Sequence, residues 1–303
     1  CQLYFRFFLV NGIIAPFRSK KSALLYQNIW TQKGSPLINH TLDLSRLVDS
    51  ALPNNYLVKA CMRYGNPSIN SAIDSLIDSN CDHIIAIPLY PQYSLSTWES
   101  SSHKVKLLFK NKKLSQKLTI VPPFYNEEMF LDAFSNVVTN FVGDKKFDHY
   151  LFSFHGLPEH QITKLDSSKN HCLKAKNCCD TQNDFNQKCY RQQCVYTAHK
   201  IAEKSGINSS DFTICFQSRL GNRPWIQPNI ESLYESLPKE GKTNVAVISP
   251  SFVADCLETL EEISFRGQKD FESFGGKTLT LIPSLNSSRA WVETICHFIT
   301  KQN

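Results

Sequence analysis

Tyr150-Leu151-Phe152-Ser153-Phe154-His155-Gly156-Leu157-Pro158 reads as a strand that stops at a chemically active end. Tyr150–Phe154 is short and almost wholly apolar, the pattern of a strand covered on both faces. An imidazole, a glycine and a proline then close it. Working outward, runs of the same kind recur at Tyr56–Met62, His83–Tyr90 and Leu118–Phe124 before it. Two more, Phe212–Phe216 and Asn244–Ile248, come after it. Helix-like stretches at Ser68–Ser79, Ser96–Lys110 and Glu127–Phe141 follow the first three. Such alternation specifies an α/β fold, with helices on both faces of parallel sheets. The spacing predicts two similar doubly wound parallel-sheet domains, residues 1–145 and 146–288, of about four strands each. The last helix, 289–303, is expected to pack back on the first domain. Ligands in such folds sit beyond the carboxyl ends of the strands.

Composition narrows the class. Of 303 residues, 42% are hydrophobic and 20% charged, which excludes extended disorder and fibrous repeats. The longest apolar candidate, Phe7–Phe17, is broken by Asn11, Gly12 and Pro16 and falls short of the roughly 18 residues of a membrane helix. The expectation is a soluble, cytoplasmic protein. Basic residues outnumber acidic ones 33 to 27, a mild excess. Lysines crowd between Lys104 and Lys117 with no acid among them. They read first as a solvated helix face, and second as a weak contact to an anionic membrane surface, placing the protein peripheral to the inner membrane. Nucleic acid is not an expected partner, because the basic run holds only Phe109 as an aromatic and no recognition motif. No G-x-G-x-x-G or P-loop pattern supports nucleotide binding.

Four strand ends carry unusual residues. They are Met62-Arg63-Tyr64-Gly65-Asn66-Pro67; the stiff aromatic loop Pro88-Leu89-Tyr90-Pro91-Gln92-Tyr93-Ser94; His155-Gly156; and Gln217-Ser218-Arg219 with Gly221, Pro224 and Trp225. A histidine before glycine at a strand end can be a structural residue, a base or a metal ligand. The stretch Phe252–Ser264 favours chemistry. Read as an α-helix, it spaces Asp255, Glu258 and Glu262 at i, i+3 and i+7, three carboxylates on one face. Val253, Leu257, Leu260 and Ile263 would form its buried face. Because it directly follows a strand, its acid face can look into the cleft that holds His155. An imidazole and a carboxylate row beside Tyr and Trp suggest a divalent metal handed to a flat aromatic ligand.

Apart from Cys1, the eleven cysteines divide into two groups. Cys61, Cys81, Cys215, Cys256 and Cys296 are scattered through apolar segments and read as small buried residues. Cys172, Cys178, Cys179, Cys189 and Cys194 crowd into one insertion, 165–195. Without a visible secretory signal, a metal or iron–sulfur site is the stronger reading and a disulfide framework the weaker.

Taken in order, these motifs resemble the ferrochelatase family. Leu151–Pro158 resembles its histidine signature, and Pro88–Ser94 looks like its P-x-Y-P-Q-Y-S loop. Gln217-Ser218-Arg219 with Pro224-Trp225, and Asp255–Ile263, look like its third and fourth motifs. The resemblance runs from about Arg18 to the C-terminus and implies two domains facing a porphyrin cleft. The implied activity is that of a lyase, insertion of ferrous iron into protoporphyrin IX in the last step of haem synthesis. It implies catalytic roles for His155 and Glu258, with iron reaching His155, Glu258 and Glu262. It also implies porphyrin contacts from Tyr90, Tyr93, Ser94 and Trp225, with Arg63 and Arg219 as propionate partners or ordinary strand-end ion pairs. A coproporphyrin or cobalt-inserting chelatase is the neighbouring enzymatic reading, and a non-catalytic porphyrin-binding or cluster-binding sensor the rival class.

Two departures from the family pattern stand out. No strand and L-x-N-x-G-T-P loop precede Cys1, so the family opening is expected to be missing, with an unpaired sheet edge as the result. The cysteine insertion is the other. A subset of bacterial members is similar in placing cysteines internally, which implies a 2Fe–2S cluster on four of Cys172, Cys178, Cys179, Cys189 and Cys194. Structural zinc is the rival occupant.

Overall fold

The computed structural model describes residues 23–302; the opening Cys1–Phe17 lies outside them. After a helical stretch at residues 23–29, the helices and strands run in chain order α1 (Pro36–Ala51), α2 (Ile69–Asp78), β1 (His83–Ala86), α3 (Ser100–Lys112), β2 (Lys117–Ile120) and α4 (Glu128–Val142). They continue with β3 (His149–His155), α5 (Glu159–Thr163), α6 (Tyr190–Lys204), β4 (Phe212–Gln217) and α7 (Ile230–Lys239). Last come β5 (Asn244–Ile248), α8 (Gln268–Ser273), β6 (Thr278–Leu281) and α9 (Arg289–Thr300). Two segments, Leu95–Glu99 and Leu257–Gly267, are π-helical and run directly into α3 and α8.

All strand pairs are parallel. The larger sheet has the order β4-β3-β5-β6, with β3 at its centre. Leu151, Phe152, Phe154, Val245, Val247 and Ile248 lose all or nearly all contact with water, which is why these strands are apolar without alternation. One core lies under α7, α8 and the second π-helix, where Ile263 and Phe271 meet Val247 and Leu279. The other side is dominated by rings: Phe124 contacts Phe130, Trp291 and Phe298 at centroid separations of 5.2–5.7 Å. Those rings lock α9 against α4, and α9 also packs on α1. Burying Trp291 and Phe298 contributes roughly 2–3 kcal/mol each.

Three sequence expectations are corrected. Tyr56–Met62 is not a strand; its one ladder-type contact is an isolated bridge from Met62 to Ser68. The Val58 N–H donates to Asp49 Oδ1 at 2.8 Å, so a helix side chain takes a donor that a ladder would need. Cys61 on that stretch is consequently exposed rather than buried. Among the described residues the first sheet has two strands, β1 and β2, instead of about four. Both are shorter than the apolar runs that announce them. Pro88, Pro91, Pro122 and Pro123 lack the N–H a ladder needs, so the chain leaves the sheet before them. Finally, β6 completes the second sheet from Thr278-Leu279-Thr280-Leu281, a run the sequence reading did not single out.

Candidate active site

The chain winds from β3 outward to β4 on one side and, through β5, to β6 on the other. The direction reverses between β3 and β5, and a cleft opens above such a reversal. His155 ends β3 at this point. Its N–H donates to Ser251 Oγ at 3.1 Å, just beyond β5, and its ring lies 6.2 Å from that of Phe252. Nδ1 sits 2.6 Å from the Gly156 carbonyl, which can only accept. The proton is therefore on Nδ1, and in the neutral ring Nε2 keeps a lone pair for a base or ligand role.

Gly156 is required by close approach. A Cβ there would stand 2.8 Å from the Gln217 carbonyl and 3.2 Å from Trp225 Cε3. Trp225 thus packs against Gly156, and Pro158 bridges to it.

Gln217, paired with His155 across the sheet, links the histidine to the acidic segment. Its Nε2 donates to the Glu258 carbonyl at 2.6 Å and to Glu262 Oε2 at 3.2 Å, while Ser153 Oγ fixes its Oε1 at 2.7 Å. Ser218, in the left-handed region at φ 65°, donates to Glu262 Oε2 at 2.5 Å. Burial pushes the Glu262 carboxyl above its usual value; these hydrogen bonds work against that, and the charge of Glu258 adds to it. Glu262 also lies 3.6 Å from Arg266.

The expectation of three carboxylates on one helical face is corrected here. Leu257–Gly267 is π-helical, so the i, i+3, i+7 geometry of an α-helix does not apply. Asp255 precedes the helix and is buried, accepting from Asn286 Nδ2 at 2.7 Å and Thr259 Oγ1 at 3.1 Å. It is a pin for the loop. The buried face changes accordingly: Thr259, Glu261, Ile263 and Gly267 point inward, and Leu257 and Leu260 are only half-buried.

Other candidate residues lie on segments flanking the first sheet. Burial raises the Tyr90 phenol, a hydrogen bond with Ser101 works against it, and the charge of Glu258 is among the lesser contributions. Arg63 donates to Ser100 Oγ at 2.9 Å and lies over the Tyr64 ring, but its buried Nε has no partner among the described residues. Tyr93 is buried, its phenol donating to Glu99 at 3.0 Å and pushed up to about 12 by burial and by that carboxylate. Ser94 caps the first π-helix through the Thr97 N–H at 3.2 Å. Arg219 is exposed beyond β4.

Sequence reading missed four contributors. Gln217 and Ser218 lay inside a noted motif but had no assigned role. Ser251 and Tyr26 were not singled out; burial raises the Tyr26 phenol, and the charges of Glu258 and Cys256 add to the rise.

The five cysteines of the insertion are all buried. A hydrogen bond with Cys189 lowers the Cys172 thiol and, from its other side, pushes Cys189 up to about 12. Cys189 also bonds Cys179, which lies 3.9 Å from Cys178 and accepts from Arg191 at 3.1 Å. Asp166 anchors the start of the loop, taking the N–H groups of His171 and Cys172 at 2.8 Å and the Ser168 hydroxyl at 2.6 Å. Those bonds hold its carboxyl well below the ordinary range although burial opposes them. Among the described residues no three His, Cys, Asp or Glu side chains close round one point as metal ligands. Four of the thiols run instead as a chain, Cys172 to Cys189 to Cys179 to Cys178.

The ferrochelatase family model matches residues 1–303. The chain belongs to the ferrochelatase family. Similar curated proteins include the ferrochelatase of Coxiella burnetii (strain Dugway 5J108-111), 38% identical over 296 residues, which are 98% of this chain and 82% of that one. That of Bdellovibrio bacteriovorus is 39% identical over 285 residues, 94% of this chain and 84% of the other. That of Legionella pneumophila (strain Corby) is 38% identical over 297 residues, 98% and 87%. Among solved structures, SirB from Bacillus subtilis with Fe3+ superposes with a TM-score of 0.57 at 10% identity, covering 88% of this chain and 91% of that one. CbiX, the terminal enzyme of sirohaem synthesis in denitrifying bacteria, gives 0.51 at 11% identity over the same shares. These likenesses bear on the fold, parallel α/β.

Proposed function

We propose that this protein inserts ferrous iron into protoporphyrin IX, with the reaction centred on His155 and Glu258. The observation that carries this is the histidine at the sheet's reversal point, its Nδ1 committed to Gly156, joined through Gln217 to the Glu258 segment. Insertion replaces two pyrrole protons by one divalent ion. His155 Nε2 and the Glu258 carboxylate together receive the iron and those protons, and the raised carboxyl of Glu262 relays protons onward. Tyr90 and Trp225 flank the macrocycle, and the spare Nε of Arg63 suits a propionate. Tyr93 and Ser94 act from behind, stiffening the loop that carries Tyr90, and exposed Arg219 meets a propionate at the rim. Residues 23–145 and 146–288 would form the two lips, with α9 packed back on the first of them.

The cysteine segment suits a 2Fe–2S cluster, because it gathers five buried thiols in one short stretch, and such a cluster takes four. Cys172, Cys189, Cys194 and one of Cys178 or Cys179 would hold it, with Arg191 balancing its charge. Bound there, the cluster would cross-link a loop of little apolar content. The exposed lysines of α3 favour weak, salt-sensitive contact with an anionic membrane; no helix among the described residues is long and apolar enough to cross one. Anaerobic incubation with ferrous iron and protoporphyrin tests the main reading. Metalloporphyrin should form catalytically, whereas a spectral shift of bound porphyrin without metal insertion would refute it.

A further inference from the structure

Helix α6 starts inside the cysteine segment and reaches both lips of the cleft. Cys189 is its N-cap residue and Cys194 sits in its second turn. Between them, Tyr190 is buried, contacts Cys194, and donates from its hydroxyl to the His155 carbonyl at 2.8 Å. With Ser251 accepting the His155 N–H, the peptide groups flanking the histidine are held from both sides by side chains. One turn on, the buried Gln193 accepts the Tyr93 N–H at 2.6 Å and donates to the Gln187 carbonyl at 3.0 Å. Gln92 of the same aromatic loop donates to Thr197 Oγ1 at 3.2 Å. The Tyr190 ring packs in the main core, and beyond that packing Tyr190 and Gln193 each meet a specific backbone group of one lip.

We propose that Tyr190 and Gln193 are positioning residues through which the cysteine segment sets the geometry of the iron-insertion site, Tyr190 aligning His155 and Gln193 fixing the Tyr93 loop. The Tyr190 half rests on the assignment of His155 to the reaction. Coupling of this kind is reciprocal: a segment that orders the cleft is itself ordered when porphyrin fills it.

The test uses Tyr190→Phe, which keeps the ring and removes the donor, and Gln193→Leu, which keeps the bulk and removes the acceptor. Tyr190→Phe should lower kcat about tenfold with the porphyrin KM within about twofold of wild type, since a transition-state alignment is lost. Gln193→Leu should do the reverse, raising the porphyrin KM about fivefold with kcat little changed. Hydrogen–deuterium exchange of residues 165–195 should slow on adding protoporphyrin to the wild type, and not in the double variant. Equal losses in both kinetic constants for both variants, or exchange in the wild type indifferent to porphyrin, would overturn the coupling. Full turnover in His155→Ala would overturn the Tyr190 half by removing its premise, and would leave the exchange result to judge the Gln193 half.

Discussion

Replacing Gly156 by alanine probes the join between the histidine and the acidic segment. The added Cβ would lie 2.8 Å from the Gln217 carbonyl, about 0.6 Å inside ordinary contact at 3.4 Å, and 3.2 Å from the Trp225 ring. The tryptophan can tilt. The carbonyl cannot move freely, because it accepts the Gly156 N–H at 2.8 Å within the β3–β4 ladder. Relief therefore spreads the ends of β3 and β4, and Gln217 carries Glu258 and Glu262 with it. Overpacking of this kind costs about 1–3 kcal/mol of stability, equivalent to a Tm lower by roughly 2–10 °C. A shift of about half an ångström at the reacting groups should cost at least about tenfold in kcat/KM, near 1.4 kcal/mol of barrier. Gly276→Ala serves as the control. Its Cβ would run into the buried ring of Phe271, within the core under the second π-helix and away from the cleft. Melting curves and steady-state rates per folded molecule should then separate the two: Gly276→Ala loses stability with its turnover kept, and Gly156→Ala loses both. If Gly156→Ala retained wild-type kcat/KM, the β3–β4 end would not be setting the reactive geometry, and the reasoning would fail.

Further outcomes follow from the same contacts. Glu258→Gln should lower kcat at least a hundredfold, while Glu262→Gln should lose less than about tenfold, because the second carboxyl only relays; equal effects in steady-state assays would contradict that order. Asp166→Asn should cost about 2–4 kcal/mol at pH 7 by removing the charge that the loop N–H groups solvate. As a depressed carboxyl, Asp166 contributes fully above its ordinary value of 3.8 and loses the contribution as pH falls toward the folded value, so the gap between variant and wild-type Tm should close only below about pH 4. Protein purified without oxygen should be reddish-brown with about two irons per chain, and Cys194→Ser should lose the colour. A colourless protein with one zinc would point to the other occupant.

The parallel sheet was legible because its central strands are buried on both faces, and β3, β4 and β5 fall where apolar runs predict them. Tyr56–Met62 misled because strand-like composition says nothing about whether a neighbouring backbone offers pairs. Thr278–Leu281 escaped notice because β6 is only four residues long and lies at the sheet edge, so its alternating Thr and Leu make no continuous apolar run. At the proposed site, His155 and Glu258 were singled out through the motifs that hold them. Asp255 did not behave as its spacing implied, since a π-helix changes which residues share a face. Gln217, Ser251 and Tyr190 act by hydrogen bonds to backbone and side-chain groups up to 96 positions away in the chain, as from His155 to Ser251. No local pattern encodes such partners.

The central claim is tested most directly on His155→Ala, assayed anaerobically with ferrous iron and protoporphyrin while porphyrin binding is followed in parallel by fluorescence. Nothing else at the end of β3 offers an imidazole nitrogen, so the variant should bind porphyrin within a few-fold of wild type and form no metalloporphyrin above the uncatalysed rate. Metalloporphyrin formation at more than about a tenth of the wild-type rate, a barrier change below about 1.4 kcal/mol, would contradict the account.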